Sequence, residues 1–362
     1  MSGRATRVRI YAYGLSRRML ADWPTEKFPM KRIFPAAPFR ACALALVAAL
    51  PLARAADAPA TPSYKVEASG AKNFGDSPVI IVPTIFLKLP VAGKVSVAKT
   101  GSALSGIGSS GGANTVRASA HYVVSGLDKA LAQQLAKKVY DDFVTRLRAA
   151  GYTVKTYADI ADLDVVKNAQ RTAPDAAWGL PIEKDGLGAN VLLIATPSDA
   201  QLFKSGTVSG VFNQFAKGGK SILGEGTILM PTYLITAPQI WGEKGGGYST
   251  ISAGINAAPG MNLTTAIVPL LTQKGAWGDA RLKGQVINVS ENVGEIAMQD
   301  TTSTTGNAIS SALSALTGSG KISGKTANYQ FTINAAAYEA GVLAGTGGFN
   351  AEAAKIIGAA KK

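Results

Sequence analysis

Residues 127–151, which read LDKALAQQLAKKVYDDFVTRLRAAG, carry the strongest secondary-structure signal in the chain. Leucine, valine or phenylalanine occupies every fourth position of this stretch, a spacing that places apolar side chains on one face of an α-helix. Ser125 is a candidate N-cap, and Gly151 is a candidate C-cap. The spacing therefore predicts an amphipathic helix over residues 126–150 that packs on a hydrophobic core.

Apolar and β-branched runs lie on both sides of this helix. Residues 79–87 are bounded by Pro78 and interrupted at Pro83, which predicts a buried strand with a break. Further strands are predicted at residues 91–97, 116–122, 152–157, 190–196, 227–241, 249–256, 262–272, 284–289 and 329–333, and further helices at 158–168, 208–216, 307–316, 335–343 and 350–360. This succession predicts an α/β (α+β) fold, in which the amphipathic helix packs on a mixed sheet with long irregular strands and a small C-terminal helical extension follows.

Residues 30–55 have the organisation of a secretory signal peptide. They begin with the basic segment Met30-Lys31-Arg32, continue with twelve uncharged residues at 41–52, and end with the cleavage motif Ala53-Arg54-Ala55. A twelve-residue helix spans only about 18 Å, whereas the hydrocarbon core of a bilayer is roughly 30 Å thick. We therefore expect cleavage after Ala55 and a periplasmic protein, either free there or associated with the outer membrane, without a transmembrane helix.

Residues 1–29 fit no part of that signal peptide. We expect Met30 to be the true start and residues 1–29 to be an upstream mis-start. The alternative is a long twin-arginine leader that uses Arg17 and Arg18, although the apolar stretch begins more than twenty residues later.

Composition divides the remaining chain into three parts. Residues 56–76 begin with an Ala- and Pro-rich stretch that predicts a flexible lead-in. Residues 77–300 hold most of the predicted strands and form the main α/β domain. Residues 301–362 begin with a polar, low-complexity stretch and are expected to form a C-terminal linker, strand and helices.

The net charge of +14 overstates how basic the exported protein is. Ten basic and two acidic residues lie in residues 1–55, so residues 56–362 keep 27 basic and 21 acidic groups, a net charge of +6. These basic residues form no stripe interleaved with aromatic residues, so we expect no nucleic-acid partner. The chain has one cysteine, Cys42, and one histidine, His121, which excludes an intramolecular disulfide and multi-His or multi-Cys metal sites. We expect no metal and no cofactor.

Two glycine-rich motifs overlap between the predicted strands at 91–97 and 116–122. Residues 108–112 match the nucleophile elbow G-x-S-x-G, and residues 106–111 match the dinucleotide motif G-x-G-x-x-G. Neither motif stands between a strand and a helix, which its chemistry requires, so both are interpreted as loop. Residues 219–221 and 324–326 resemble the end of a phosphate-binding loop, but both lack the glycine needed five positions earlier.

The titratable residues offer few catalytic candidates. His121 begins an apolar strand and is interpreted as a structural histidine rather than a catalytic base. Asp141 and Asp142 fall on the polar face of the long helix and are expected to be solvated, as are Asp162 and Asp164. A glycosidase with two carboxylates distant in sequence stays open as an alternative, because such a pair needs no local spacing. No catalytic residue is assigned.

Three aromatic residues are the candidate binding residues. Trp241, Tyr248 and Trp277 flank Gly-rich or polar turns instead of lying within apolar runs. This placement favours aromatic residues that cover the ends of the sheet. The alternative, for which they are the candidate residues, is a binding surface for lipid, glycan or a partner protein.

One region carries a family resemblance. An apolar strand at 79–87 is followed by the helix that opens with Leu127-Asp128-Lys129-Ala130-Leu131, by the turn and strand at 148–154, and by a second helix at Asp159-Ile160. This order resembles the α/β domain shared by the curli secretion lipoproteins and the lipoprotein activators of penicillin-binding proteins. Residues 288–298 are similar to the closing strand pair of that domain. The chain lacks the acylated cysteine of those families, so the resemblance implies the domain fold and carries over no functional residue.

These observations lead to one expected function and two alternatives. We expect an exported, non-catalytic protein of a Gram-negative-type cell envelope that binds or assembles other envelope components, whether protein, lipid or glycan. The first alternative is a periplasmic carrier of an apolar ligand, which needs an apolar cavity of about 300 Å³ or more. The second is a hydrolase that uses carboxylates or serines, which needs acids that converge in a pocket. The oligomeric state is left open.

Overall fold

A computed structural model describes residues 62–100, 115–185, 189–204, 214–215, 222, 224, 226–245, 252–299 and 325–361 of the 362-residue chain. Its strands are β1 (Val66–Ser69), β2 (Val79–Val82), β3 (Phe86–Thr100), β4 (Thr115–Ser125), β5 (Thr153–Thr156), β6 (Ile182–Lys184), β7 (Asn190–Ala195), β8 (Thr227–Leu229), β9 (Thr232–Thr236), β10 (Gln239–Gly245), β11 (Ser252–Ala258), β12 (Met261–Leu271), β13 (Trp277–Leu282), β14 (Val286–Ser290), β15 (Gly294–Gln299) and β16 (Lys325–Ile333). Its helices are α1 (Lys129–Ala149), α2 (Tyr157–Ile160), α3 (Asp164–Lys167) and α4 (Ala335–Ala359).

A mixed sheet organises the described residues and confirms the predicted fold class. Its strand order is β15-β16-β4-β3-β9-β12-β8-β2-β5, and the strands β7, β13 and β14 pair with β3 or β12 off this path. The pairs β16–β4, β3–β9, β2–β8 and β2–β5 are parallel, and the other pairs are antiparallel. The strands β10 and β11 form a separate antiparallel hairpin that lies against β3 and β4.

Helix α1 is the predicted amphipathic helix. Its apolar face is buried, and the hydroxyl of Tyr140 donates a 2.7 Å hydrogen bond to the carbonyl oxygen of Val82 at the end of β2. The predicted cap was wrong: Asp128 caps the helix by accepting a hydrogen bond from the Leu131 backbone N–H at 2.8 Å. The reason is Gly126, whose φ of 87° turns the chain between Ser125 and the helix.

The sheet buries side chains on both faces. Successive residues of a strand point to opposite faces, and Ile80 and Ile81 of β2 accordingly belong to two different buried clusters. The larger cluster contains the apolar residues of α1 and α4, and the smaller one contains those of the segment after β5. This arrangement explains why β2 and residues 191–195 of β7 are apolar throughout rather than alternating.

The C-terminal residues are integrated into the main fold, so the boundary expected at residue 300 does not divide it. Strand β16 lies between β15 and β4, and α4 packs on α1, where Glu339 pairs with Lys138 and accepts a 3.1 Å hydrogen bond from Gln134 Nε2. The two helices predicted at 335–343 and 350–360 form this one helix. Glycines inside it allow close packing, since a Cβ on Gly341 would lie 2.9 Å from Met261 Sδ.

Other predicted boundaries also change. Residues 66–75 fall in the expected flexible lead-in, yet they form β1 and a 3₁₀ turn whose Phe74 is fully buried. The strand predicted at 227–241 divides into β8, β9 and β10, and β13 was not predicted. The helix predicted at 158–168 divides into α2 and α3. Residues 1–61, the glycine-rich motifs at 106–112, residues 219–221, the helix predicted at 307–316 and most of that predicted at 208–216 lie outside the described residues.

None of the described helices is both long enough and apolar enough to cross a membrane.

Candidate functional site

A cleft of about 550 Å³ opens beside the β10–β11 hairpin, between it and the main sheet. This volume is in the range of about 300–1,000 Å³ that is typical of small-molecule sites. Every lining residue in the described part of the chain is uncharged. These residues are Val95, Tyr122, Asn190, Thr236, Pro238, Gln239, Ile240, Trp241, Asn262, Thr264, Gln285, Ile287 and Asn288.

Three side-chain amides form a connected row in this cleft. Gln239 Nε2 donates to Asn262 Oδ1 at 2.7 Å and also to Asn288 Oδ1. The backbone N–H of Asn288 donates to the same Asn262 Oδ1 at 3.0 Å. Because β10, β12 and β14 each supply one member, the row joins the hairpin to the main sheet.

Two backbone features make this amide row possible. Asn288 has a φ of 55°, a left-handed conformation that asparagine tolerates better than most residues. Gly260 lies directly under Gln239, and a Cβ at this position would stand only 2.8–3.0 Å from the Gln239 side-chain amide. The row therefore depends on an asparagine and a glycine as well as on its own hydrogen bonds.

A second polar group lies at the floor of the cleft. The hydroxyl of Tyr122 donates a 2.8 Å hydrogen bond to Asn190 Oδ1, and Asn190 Nδ2 donates to Asp185 Oδ2 at 2.6 Å. Burial, and after it the negative charge of Asp185, raise the pKa of Tyr122 far above its ordinary value. The Tyr122 hydroxyl therefore stays neutral at physiological pH. On a neighbouring strand pair, the hydroxyls of Thr236 and Thr264 lie 2.8 Å apart.

Trp241 forms part of the rim. Its side chain is 43% exposed, and Ile287, which also lines the cleft, is 57% exposed. The adjacent Gly242 allows β10 to approach β3 closely, because a Cβ on Gly242 would lie 2.6 Å from Val97 Cβ. The hairpin strand that carries Trp241 therefore lies directly against β3.

The three aromatic candidates do not form one surface. Trp241 lines the cleft, whereas Tyr248 lies outside the described residues. Trp277 is in β13 and pairs with Leu271, which is nine residues from Asn262 along β12. At about 3.4 Å per residue that distance is roughly 30 Å. Trp277 thus lies at the other end of β12 from Asn262, so the structure does not bring it together with Trp241.

The titratable residues considered from the sequence lie away from the lining of this cleft. His121 is buried on β4, opposite Lys94 of β3 and Asn328 of β16. Asp141 pairs with Lys137 at 2.7 Å on an exposed surface, as expected. Asp142 was expected to be solvated, but it accepts hydrogen bonds from Arg146 and from the buried Asn350. Among the described residues, no group of three His, Cys, Asp or Glu side chains could hold a metal ion.

Sequence reasoning missed the amides. Asn262 and Asn288 stand inside or beside predicted strands whose other residues are mainly apolar, and such polar interruptions were the available signal. The signal was not sufficient, because the contact between the two residues depends on the β12–β14 register, which shifts between Met261 and Leu263. No family model, curated protein or solved structure matches the chain. The resemblance to the curli secretion and penicillin-binding-protein activator lipoproteins therefore stays a prediction.

Proposed function

We propose that this protein is an exported, non-catalytic component of a bacterial cell envelope that binds another envelope component in the cleft beside β10–β11. The observation that carries the proposal is the lining of this cleft. Amides, hydroxyls and an exposed indole surround a space large enough for part of a ligand.

The chemistry of the lining favours binding over catalysis. Side-chain amides donate and accept hydrogen bonds, but they do not act as acids or bases near neutral pH, and the raised pKa of Tyr122 keeps its hydroxyl in the neutral form. The nearest carboxylate in this network, Asp185, is engaged by Asn190 Nδ2 and by the Ala189 backbone N–H at 2.7 Å. These groups can orient a ligand.

The location in the envelope rests on residues 30–55. Their basic start, uncharged stretch and Ala-x-Ala motif are the pattern of a cleaved export signal. With cleavage after Ala55, the functional protein would contain the whole described fold and the cleft.

A carrier of an apolar ligand is the second candidate. Val95, Pro238, Ile240 and Ile287 give the cleft an apolar side, and its volume exceeds the 300 Å³ that such a carrier needs. The amide row in the same cleft favours a ligand that is polar as well.

The test determines whether the protein is exported and which envelope components it retains. The tagged full-length protein is expressed in its own bacterium, its mature N-terminus is sequenced, and components that co-purify from the solubilised envelope are identified. Trp241→Ala is the site variant, and Trp277→Ala is the matched control, because the two indoles are similarly exposed, at 43% and 47%.

We expect a mature chain that begins at Ala56 and a set of envelope components retained by the wild type and by Trp277→Ala but lost from Trp241→Ala. An unprocessed cytosolic protein would contradict the proposal. Retention of the same components by Trp241→Ala would contradict it as well.

A further inference from the structure

We infer that the cleft binds a neutral oligosaccharide, with a sugar ring against Trp241 and its hydroxyl or acetamido groups on the amide row. This inference rests on the proposed function, because it names the chemical class of the envelope component. The evidence is the set of hydrogen-bonding atoms that the row leaves for a ligand.

Among the residues that the structure describes, the amide row satisfies some of its hydrogen-bonding atoms internally and leaves others without a partner. Gln239 uses both N–H groups of Nε2, and Asn262 uses both lone pairs of Oδ1. Within the described part of the chain, no protein group pairs with Gln239 Oε1, Asn262 Nδ2 or Asn288 Nδ2. The cleft therefore offers at least one strong acceptor and two amide donors side by side. A sugar hydroxyl is both a donor and an acceptor, so vicinal hydroxyls match this combination.

The row is also fixed in orientation before a ligand arrives. The Asn288 backbone N–H determines which side of Asn262 carries the oxygen, and Asn262 in turn orients Gln239. The side chains therefore have little rotational freedom left to lose on binding. Preorganised polar groups of this kind give affinity at a low entropic cost.

Trp241 and Ile287 supply the apolar partner that a sugar ring needs. One face of a pyranose ring carries mainly C–H groups, whereas its edges carry the hydroxyls. An exposed indole beside a row of amides matches this division, because the ring face can lie on Trp241 while the edge contacts Gln239 and Asn262.

Two other ligand chemistries fit less well. An anionic headgroup or uronic acid is normally held by arginine or lysine, and every described lining residue of this cleft is uncharged. An acyl chain would cover the open N–H groups of Asn262 and Asn288 without giving them a partner, which is unfavourable for a buried amide. A neutral ligand with many hydroxyls avoids both difficulties.

The test begins with the full-length protein on an array of neutral and acidic oligosaccharides, with palmitate and phosphatidylglycerol vesicles as lipid probes. The tightest neutral oligosaccharide is then titrated by calorimetry into the wild type and four variants. Asn288→Gly removes the amide but keeps a residue suited to a φ of 55°, and Trp241→Ala removes the indole. The controls are Trp277→Ala and Gly254→Ala, since a Cβ on Gly254 meets no atom within 4 Å.

We expect at least one neutral oligosaccharide to bind, about tenfold more weakly to Asn288→Gly and to Trp241→Ala, with both controls unchanged. Thermal melting of each variant shows whether a loss of binding comes from unfolding. Equal affinity of all folded variants would overturn the inference.

The outcomes separate this inference from the proposed function. One outcome is that co-purification of envelope components requires Trp241 while the protein binds only acidic glycans, palmitate or vesicles. In that case the oligosaccharide assignment is overturned and the proposed function stands. If neutral oligosaccharides bind through Asn288 but the protein is cytosolic and unprocessed, the proposed function fails and the ligand class stands.

Discussion

The hydroxyl of Tyr233 donates a 2.7 Å hydrogen bond to Oδ1 of Asn350, and both side chains are completely buried. The amide of Asn350 continues the chain of bonds by donating to Asp142 Oδ2 at 2.9 Å, and Asp142 also accepts from Arg146. This network joins β9, α4 and α1 through the core. It explains why an asparagine stands among the small and apolar residues of the C-terminal helix.

Removing the donor from this network should destabilise the fold. In Tyr233→Phe, the Oδ1 atom of Asn350 loses its buried partner, so we expect the free energy of unfolding to fall by about 1–3 kcal/mol in urea denaturation. Tyr64→Phe is the control, because the hydroxyl of Tyr64 bonds to the Ala344 carbonyl at an exposed site. The control should change the stability by about 0.5 kcal/mol or less. Equal losses for the two variants would contradict a special role of the buried network.

Gly260 should be required for the amide row. A Cβ in Gly260→Ala meets the end of the Gln239 side chain, which is flexible enough to move away, so we expect the row to break while the fold is retained. The measurement is the pair of Gln239 side-chain N–H resonances in a ¹⁵N–¹H spectrum. These resonances should shift toward the values of a solvated amide. Gly254→Ala, a substitution into open space, should leave them in place; unchanged resonances in Gly260→Ala would refute the contact.

Gly242 should control how closely the β10–β11 hairpin approaches the sheet. The new Cβ in Gly242→Ala collides with Val97, so we expect a loss of about 1–3 kcal/mol in stability and greater access of acrylamide to the Trp241 indole. The double variant Gly242→Ala, Val97→Ala relieves the collision and should recover part of the loss. A double variant as unstable as the sum of its single changes would show that the two residues do not interact.

His121 should make the free energy of unfolding depend on pH below the ordinary histidine pKa of about 6.5. Burial, and after it the positive charge of Lys94, lower the pKa of His121 below its ordinary value, so the unfolded chain binds a proton more readily than the folded one. The free energy of unfolding should therefore be constant above about pH 7 and should decrease as the pH falls below about 6.5.

The single histidine makes this test direct. In His121→Gln, the free energy of unfolding should change less with pH below about 6.5 than it does in the wild type. Urea denaturation at several pH values measures this difference. The imidazole resonance of the folded wild type should titrate below pH 6.5. Titration at or above that value would contradict the predicted sign.

Local patterns in the sequence predicted much of the fold but little of the site. Helix α1 and strands such as β7 were identified because their side-chain periodicity is contained in one short segment. The cleft is different, since Tyr122, Asn190 and Asn262 become neighbours only through the order and register of the sheet. Sequence context identified Trp241 as a candidate, but it could not show that a whole strand length separates it from Trp277.

Because β16 lies between β4 and β15, the main sheet cannot be fully formed before β16 has been synthesised. Synthesis runs from the N-terminus, so β4 and α1 are made well before β16 and α4, and this edge of β4 has no partner until residues 325–333 have been made. A product truncated near residue 300 would display that open edge and an uncovered side of α1, both of which invite aggregation and proteolysis. The sheet and the cover of α1 are therefore complete only when residues 325–359 are present.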